Sequence, residues 1–198
     1  MKEFNMEEYR QSEYEADPVF LNRWSPRAFQ EKEIPENDLF SLFEAARWAP
    51  SAFNAQPWRF MIARTKEERE RFYSFIMEGN LAWCRKAPVL ALIMSKKTTD
   101  QGPSSSHGFD TGAAWANLSI QAAKKGLITH AMGGFHREQA RALLNIPEDY
   151  QLHAVIAIGY QGDKSELPET LQEREKPSGR MSLDDILFEH EFSKPAKR

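Results

Sequence analysis

The sequence predicts an α+β (α/β-like) fold in a single domain spanning residues 1–198. Two observations lead to this prediction. Segments with helical apolar spacing alternate with short strand-like apolar runs. A chain of this length that is 41% hydrophobic can also bury roughly 70% of its unfolded surface without disulfides. We expect helices at residues 36–48, 66–77, 109–125 and 138–144, and strands at 59–63, 89–94, 129–132 and 153–158.

The first long helix is expected to end before a proline. Leu39 and Leu42 recur at the spacing of one buried face, and Pro35 suits the start of a helix. Pro50 lacks an amide hydrogen and its ring collides with the preceding turn, so we expect the chain to leave the helix by about Trp48.

The loop that follows, residues 49–60, carries two neutral amides before the first strand. Pro57 is expected to push Gln56 into an extended conformation, in which Asn54 and Gln56 would project to the same side. Because each amide both donates and accepts hydrogen bonds, the pair suits a flavin pyrimidine ring better than a phosphate or a metal. The alternative is a surface turn whose amides satisfy the local backbone.

Two later segments differ from ordinary amphipathic elements. Residues 96–106 are polar and contain Gly102 and Pro103, which predicts an exposed and mobile loop. The helix at 109–125 has almost no polar face, and a helix that is apolar all round is normally buried on every side. A second subunit could supply the missing cover; the alternative is a central core helix in a monomer.

A cluster of cations near the start of the chain suits an anion. Arg23, Ser25 and Arg27 supply two guanidinium groups and a hydroxyl within five positions, and arginine makes paired, charge-assisted bonds to phosphate oxygens. Arg180 lies far away in the sequence and would clamp the same anion if the fold returned it to Arg23. The alternative is a set of solvated arginines at helix ends.

Together these pieces resemble the FMN-dependent nitroreductases, a family of NAD(P)H:acceptor flavin oxidoreductases. The motifs occur in the family's order and cover about residues 17 to 190. They are Arg23-x-Ser25-x-Arg27-x-Phe29, Ala49-Pro50-Ser51, Asn54-x-Gln56-Pro57-Trp58, an alanine-rich helix ending near Gly126, Met132-Gly133-Gly134-Phe135, Ile158-Gly159, and Arg180 before Leu183-Asp184-Asp185-Ile186.

The resemblance implies a nitroreductase-like fold, in which a central, mainly antiparallel sheet is flanked by helices. It also implies an interlocked homodimer with two flavins at the interface. On this view residues 1–16 form an N-terminal extension, and residues 160–198 form a C-terminal extension that embraces the partner subunit.

The resemblance also implies roles for individual residues. Arg23, Ser25 and Arg180 would hold the FMN phosphate, and Arg27 would lie near the pyrimidine edge. The remaining candidates are Pro50, Ser51, Asn54 and Gln56, on a loop that reaches a flavin held mainly by the other subunit, and Met132, Gly133 and Gly134, which would offer backbone amides close to N5.

The two glycines have an alternative interpretation, and Trp24 and Asn80 are two further candidates that the resemblance adds to the cofactor site. Gly133 and Gly134 could instead form an ordinary tight turn between a strand and a helix. Trp24 stands where many family members carry a second basic residue or a histidine, so it could stack on a ligand but adds no charge. Asn80 resembles a family asparagine, but the cation that often follows shortly after it has no clear counterpart here.

The implied activity is FMN-dependent. A tightly bound FMN would take hydride at N5 from NADH or NADPH, which visits as a transient co-substrate, and pass it to a nitroaromatic, quinone or similar small-molecule acceptor. No side chain is then expected to be catalytic. The alternatives are a dehalogenase, dehydrogenase or flavin-destructase of the same fold, or a flavin storage or sensing protein without turnover.

Several other classes are disfavoured. The sequence contains no G-x-G-x-x-G, P-loop or G-x-S-x-G motif, and its five histidines lack metal-ligand spacing, so we expect no metal site. A net charge of −3 argues against a nucleic-acid partner. No membrane span or signal peptide is predicted, and the single cysteine, Cys84, follows apolar residues and is expected to be buried. We therefore expect a cytoplasmic protein.

Overall fold

The centre of the molecule is a four-stranded sheet. The computed structural model describes residues 5–192 and 194–196, so the ends of both expected extensions, residues 1–4, 193 and 197–198, lie outside the described residues. The strands are β1 (Trp58–Ala63), β2 (Val89–Lys96), β5 (Ile128–Met132) and β6 (Tyr150–Gly159), in the order β1-β2-β6-β5. All three pairings are antiparallel, which confirms the sheet expected from the resemblance.

A separate hairpin of two short strands, β3 (Thr98–Thr99) and β4 (Gly102–Pro103), lies within the segment expected to be a loop. The Thr98 hydroxyl donates to both carboxylate oxygens of Asp149, at 3.0 and 2.8 Å. The segment therefore has structure of its own that its composition did not indicate.

Seven helices surround the sheet in the part of the chain that the structure describes. They are α1 (Pro18–Asn22), α2 (Glu36–Arg47), α3 (Lys66–Tyr73), α4 (Glu78–Cys84), α5 (His107–Lys124), α6 (Arg137–Leu144) and α7 (Glu169–Gln172). Short 3-10 turns cover Met6–Glu8, Ala52–Asn54, Lys164–Glu166 and Leu183–Asp185. The helices expected at 36–48, 109–125 and 138–144 are confirmed to within two residues at each end.

The helix expected at 66–77 is wrong in its second half. It starts as the sequence suggests, with a capping box between Thr65 and Glu68. It ends at Tyr73 because the next residues pair elsewhere: the Phe75 carbonyl accepts the His136 amide at 2.8 Å, and Ile76 forms an antiparallel bridge with Phe135. A further helix, α4, which the periodicity did not predict, then begins at Glu78.

Two apolar layers, one on each face of the sheet, form the core. Along β2, Leu90 and Leu92 face one layer and Ala91 and Ile93 face the other, as expected for alternating side chains of a central strand. The first layer is built mainly from aromatic and aliphatic residues of α3, α4 and α6. The second is built from α2 and α5, whose buried apolar residues are Leu39, Leu42, Ala46, Ala114, Leu118 and Ala122.

Helix α5 is covered on one side only. Its inner face packs on α2 and the sheet, but Gly112 and Ala116 are exposed and Phe109 is 85% exposed. The expectation that this helix is buried all round is therefore not met by a single chain. An apolar face is left without cover in the protomer.

The single thiol is inaccessible. Cys84, at the end of α4, is 0% exposed, as expected from its apolar neighbours, and burial raises its pKa to about 12. Within the described residues, none of the helices combines the length and the hydrophobicity needed to cross a bilayer.

Candidate functional site

The two ends of the chain meet at Arg23, directly after α1. The guanidinium of Arg23 is half-buried and donates to the Trp24 carbonyl and to the Ser25 hydroxyl, both at 3.2 Å. Burial lowers the pKa of Arg23, and the positive charge of Arg180 lowers it further. The fold thus returns Arg180 to the neighbourhood of Arg23 and Ser25, and the resulting site is strongly cationic.

The C-terminal side of this cluster is the irregular segment at residues 178–180. The Arg180 guanidinium donates to the Gly179 carbonyl at 2.8 Å and to both the hydroxyl and the carbonyl oxygen of Ser178 at 3.3 Å. A cleft of about 630 Å³ opens beside it, lined by Arg10 and Arg180, by the apolar side chains of Phe20 and Met181, and by Glu7, Glu8 and Glu13. The cluster therefore adjoins open space large enough for part of a small molecule.

Arg10 is a further member of this cluster that the sequence did not indicate. Arg10 is 8% exposed and donates only to main-chain carbonyls in the segments that carry Arg23 and Arg180. Burial, then the charges of Arg180 and Arg23, lower the pKa of Arg10. A lone arginine in an acidic N-terminal stretch carries no local signal that it will be buried.

Arg27 lies beside a buried carboxylate. Glu175 is 3% exposed; its Oε1 accepts the main-chain N–H groups of Arg27 at 2.6 Å and of Ala28 at 2.9 Å, and its Oε2 is 3.9 Å from Nη1 of Arg27. Glu175 was not expected from the sequence, because it stands in a run of charged residues that resembles a solvated surface. The positive charge of Arg27 is therefore partly balanced within the chain.

His130 of β5 connects this region to the sheet. Its Nδ1 is 3.0 Å from the Pro26 carbonyl, so this nitrogen donates in the neutral imidazole. Burial lowers the pKa of His130, and the positive charges of Arg27 and Arg23 lower it further. The ring is thus held neutral beside the cationic segment.

The loop at 51–56 is not extended, and the expectation for Asn54 and Gln56 is wrong. Phe53, Asn54 and Gln56 have φ values of 52°, 54° and 47°, which lie in the left-handed region. Local hydrogen bonds override the preference imposed by Pro57. The Ser51 hydroxyl accepts the Gln56 amide, and the Gln56 side chain donates to the Asn54 carbonyl, both at 3.0 Å.

The two amides of this loop therefore differ. The Gln56 side chain satisfies the local backbone, as the surface-turn alternative proposed. The Asn54 side chain is exposed and, within the described residues, makes no hydrogen bond. Asparagine tolerates a left-handed backbone better than most residues, so the loop presents Asn54 at low conformational cost. Pro50 is also exposed, and Ser51 is half-buried.

A buried aspartate anchors the loop to α5. Oδ2 of Asp110 accepts the Ala52 amide at 3.3 Å and the Ser106 hydroxyl at 2.9 Å, and the residue is buried. Among the described residues the loop has no hydrogen bond to Arg23 or Arg180; its bonds run to itself, Arg59 and Asp110. Within one chain the structure does not connect it to the cationic cluster.

The corner after β5 leaves little room for a side chain at one of its two glycines. Met132 is buried at the end of the strand, and Gly134 accepts hydrogen bonds from the Asn80 side chain at 3.0 Å and from the Met77 amide at 3.1 Å. A Cβ atom on Gly134 would lie 2.6 Å from Nδ2 of Asn80, whereas one on Gly133 would meet nothing within 4 Å. Asn80 therefore explains Gly134, and Gly133 faces open space.

Trp24 is half-buried between Arg23 and Ser25. Of the residues singled out from the sequence, the structure thus brings together Arg23, Trp24, Ser25 and Arg180, and separately Asn80 and Gly134. The loop with Pro50, Ser51, Asn54 and Gln56 forms a third group. No group of three or more His, Cys, Asp or Glu side chains in residues 5–192 and 194–196 could hold a metal ion.

A second polar cluster, not foreseen from the sequence, lies under the N-terminus of α5. The buried Ser95 hydroxyl is 2.7 Å from Nδ1 of His107 and 2.6 Å from Nε2 of His153. The register between β2 and β6 shifts at this point, leaving His153 as the extra residue of a bulge. Burial lowers the pKa of His153, and the charges of His107 and Arg137 lower it further.

Comparison with known proteins gives a consistent result. Residues 21–83 and 76–160 match the model of the nitroreductase family. A solved structure described as an oxidoreductase containing FMN is 44% identical; the match covers 93% of this chain and 96% of that chain, with a TM-score of 0.89.

Two curated relatives are more distant. The NADH dehydrogenase of Thermus thermophilus is 25% identical over 207 residues, covering 88% of this chain and 95% of that protein. The iodotyrosine deiodinase of Thermotoga neapolitana is 24% identical over 164 residues, covering 71% and 86% respectively.

Proposed function

Because this chain belongs to the nitroreductase family, we propose that it is an FMN-dependent oxidoreductase that takes hydride from NADH or NADPH and reduces a small electron-poor acceptor. Family membership confirms the resemblance identified from the sequence motifs, and with it the nitroreductase-like fold. The finer part of the proposal is that the acceptor is a nitroaromatic, a quinone or a similar compound.

One observation carries the assignment of the cofactor. Arg23 and Arg180 come from opposite ends of the chain and converge, and within the described residues neither forms an ion pair with a carboxylate. Arg23 is half-buried and Arg180 is exposed, and two like charges held close together favour binding of an anion with several oxygens. A phosphate monoester fits these donors, and Ser25 adds a hydroxyl. We therefore assign the FMN phosphate to Arg23, Ser25 and Arg180.

The ring of the flavin would be held by Arg27 and by the corner after β5. Bound FMN supplies the redox chemistry, since it exchanges hydride and electrons with its substrates. Arg27 would stabilise negative charge at the pyrimidine edge, with Glu175 setting how much of its charge is available. Gly133 would offer its backbone to the ring, because the space around its missing side chain is open. Met132 and Asn80 position that corner.

We propose that the protein is a homodimer. Three exposed aromatic side chains lie close in sequence to the contact between Asp110 and the 51–56 loop: Trp48 is 71%, Phe53 97% and Phe109 85% exposed. Together with the uncovered face of α5 they form an apolar surface of a kind that usually marks an association site. A second copy on this surface would bring Asn54 to the partner's flavin. The C-terminal segment, where Met181 is also exposed, would embrace that copy.

A second candidate is a specialised flavin enzyme of the same fold, of the dehalogenase, dehydrogenase or flavin-destructase type. The iodotyrosine deiodinase relative is the observation that favours it. A third possibility is a flavin protein for storage or sensing without turnover. All three share the cofactor and differ in what the reduced form does.

The decisive experiment starts from the colour of the purified protein. We expect a yellow protein that releases FMN on acid treatment, identified by its mass. Under anaerobic conditions NADH or NADPH should bleach it, and a quinone or nitroaromatic should restore the colour over many turnovers. Bleaching without acceptor turnover would favour storage, and restoration only by a halogenated phenol would favour a dehalogenase. A protein that binds no flavin would overturn the proposal.

We place the enzyme in the cytoplasm.

A further inference from the structure

The guanidinium of Arg10 connects the two chain segments that form the cationic cluster. Its Nη1 donates to the Leu21 carbonyl at 2.6 Å and to the Arg23 carbonyl at 2.7 Å, and its Nε donates to the Ser178 carbonyl at 2.9 Å. Leu21 and Arg23 are neighbours at the end of α1, whereas Ser178 lies more than 150 residues further along the chain. One side chain thus joins the two ends of the chain.

The first pair of contacts fixes the main chain from which the Arg23 side chain projects. Leu21 belongs to the last turn of α1, whose carbonyls lack partners within the helix. A cation that donates to them satisfies these groups and interacts favourably with the helix dipole. Because α1 is only five residues long, it has little intrinsic stability, and its end depends on such tertiary contacts.

The third contact fixes Arg180. Both Arg10 and Arg180 donate to the same oxygen, the carbonyl of Ser178, at 2.9 and 3.3 Å. Two guanidinium groups that share one acceptor must lie close together. This closeness has an electrostatic cost, since the charge of Arg180 lowers the pKa of Arg10. Because the fold holds these cations together before a ligand arrives, binding of an anion does not have to supply the free energy of bringing them together.

We propose that Arg10 is a positioning residue that preorganises the phosphate site, holding Arg23 and Arg180 at the spacing a phosphate monoester requires. Arg10 acts through the other two residues, because its Nε and Nη1 are engaged by the carbonyl oxygens of the segments that carry them. The proposal rests on the proposed function, in that it takes the ligand to be FMN. It adds that phosphate binding depends on a residue of the N-terminal extension.

The test compares two ligands that differ only in the phosphate. Full-length protein freed of flavin is titrated with FMN and with riboflavin, for wild type and Arg10→Gln, following the quenching of flavin fluorescence. We expect Arg10→Gln to weaken FMN binding about tenfold or more, since hydrogen bonds to charged groups are lost. Riboflavin affinity should change less than about threefold, because a ligand without a phosphate gains little from the preorganised site.

Arg141 provides a matched control. Its guanidinium also donates to three main-chain carbonyls, those of Ile146, Pro147 and Tyr150, which belong to the segment after α6 and not to the cationic cluster. Arg141→Gln should lower the melting temperature while leaving the ratio of FMN to riboflavin affinity unchanged. If Arg10→Gln does not fold, Arg10→Lys serves in its place, since an ammonium cannot reproduce the fork of the guanidinium. We expect that ratio to fall in Arg10→Lys as well.

The outcomes separate this inference from the proposed function. A wild type that binds riboflavin as tightly as FMN removes the phosphate assignment itself. A wild type that prefers FMN, with the same preference retained in the Arg10 variants, overturns only the role of Arg10. An equal loss of affinity for both flavins in Arg10→Gln would also overturn it, because the residue would then be merely structural.

Discussion

The carboxylate of Glu175 contacts Arg27 at both its main chain and its side chain. One oxygen accepts the Arg27 amide at 2.6 Å; the other lies 3.9 Å from its guanidinium and, within the described part of the chain, accepts no hydrogen bond. Glu175 is 148 residues away in the sequence from the residue it orients. The charge that Arg27 offers to a ligand is therefore set by the C-terminal part of the chain.

Glu175→Gln should raise the midpoint potential of the bound flavin. The amide oxygen can still accept the two main-chain N–H groups, but the negative charge that offsets Arg27 is gone, so the negatively charged reduced flavin is favoured. We expect a rise of roughly 20–40 mV, which corresponds to on the order of 1–2 kcal/mol for a two-electron couple. Anaerobic titration against a reference dye measures it.

Glu175→Ala is the companion variant. It leaves two buried N–H groups without an acceptor and should destabilise the protein by about 2–4 kcal/mol. An unchanged potential in a well-folded Glu175→Gln protein would show that Glu175 serves only the backbone.

Asn54→Gly should weaken flavin binding without destabilising the fold. Glycine adopts the left-handed conformation of Asn54 without strain, so the substitution removes the side chain and leaves the loop intact. The loss of one hydrogen bond predicts about three- to tenfold weaker FMN binding. Fluorescence titration measures the affinity, and thermal unfolding checks the fold.

Asn145→Gly is the control, because Asn145 has the same left-handed backbone at the end of α6, with φ of 52°. It should bind FMN like the wild type. Identical behaviour of the two variants would assign Asn54 a structural role in the turn alone.

Phe109→Glu should prevent dimer formation. The side chain is exposed in the protomer, so a charge there costs little in the monomer, but it would be buried and unpaired in the proposed interface. We expect a monomer by analytical ultracentrifugation, with FMN content reduced. Gln101→Glu adds the same charge on the exposed β3–β4 turn and should remain dimeric. A Phe109→Glu protein that is still a dimer would place the interface elsewhere.

Stability should fall as the solution becomes more acidic between about pH 7 and pH 5. The pKa values of His130 and His153 are lowered in the folded state, chiefly by burial, so the unfolded chain binds protons more readily. Stability is then complete above the unfolded pKa of about 6.5 and declines below it, by up to about 1.4 kcal/mol per pH unit for each group. Denaturant unfolding at pH 7.5, 6.5 and 5.5 measures the slope.

His130→Gln should flatten this slope, and His190→Gln, at an exposed position, should not. A wild-type stability that is constant over this interval would mean that neither imidazole resists protonation in the folded protein.

Local sequence rules predicted most of the secondary structure, and they failed where contacts outside the local pattern determine the backbone conformation. The helical spacing of α2 and α5 is local, and both helices formed where expected. The end of α3 is not local, because it depends on Phe75 and Ile76 pairing with residues about 60 positions later. A hydrogen bond from the Gln56 amide to the Ser51 hydroxyl likewise outweighed the preference that Pro57 imposes.

The site divides in the same way. Arg23 and Ser25 are two positions apart in the sequence, so their pairing could be recognised from a motif. Arg10 and Glu175 could not be predicted from the sequence, since what distinguishes them is their hydrogen bonds to carbonyl and amide groups of distant segments. The sequence pattern identifies residues that could touch a ligand better than those that hold them in place.

The inaccessibility of Cys84 gives the protein a built-in reporter of its own opening. With the sulfur fully enclosed and the thiol protonated at any physiological pH, an alkylating reagent reacts only with molecules that have opened transiently around α4. In excess reagent, the rate of labelling would therefore measure the rate of this opening directly. Since the chain contains a single cysteine, each labelled molecule records one such event.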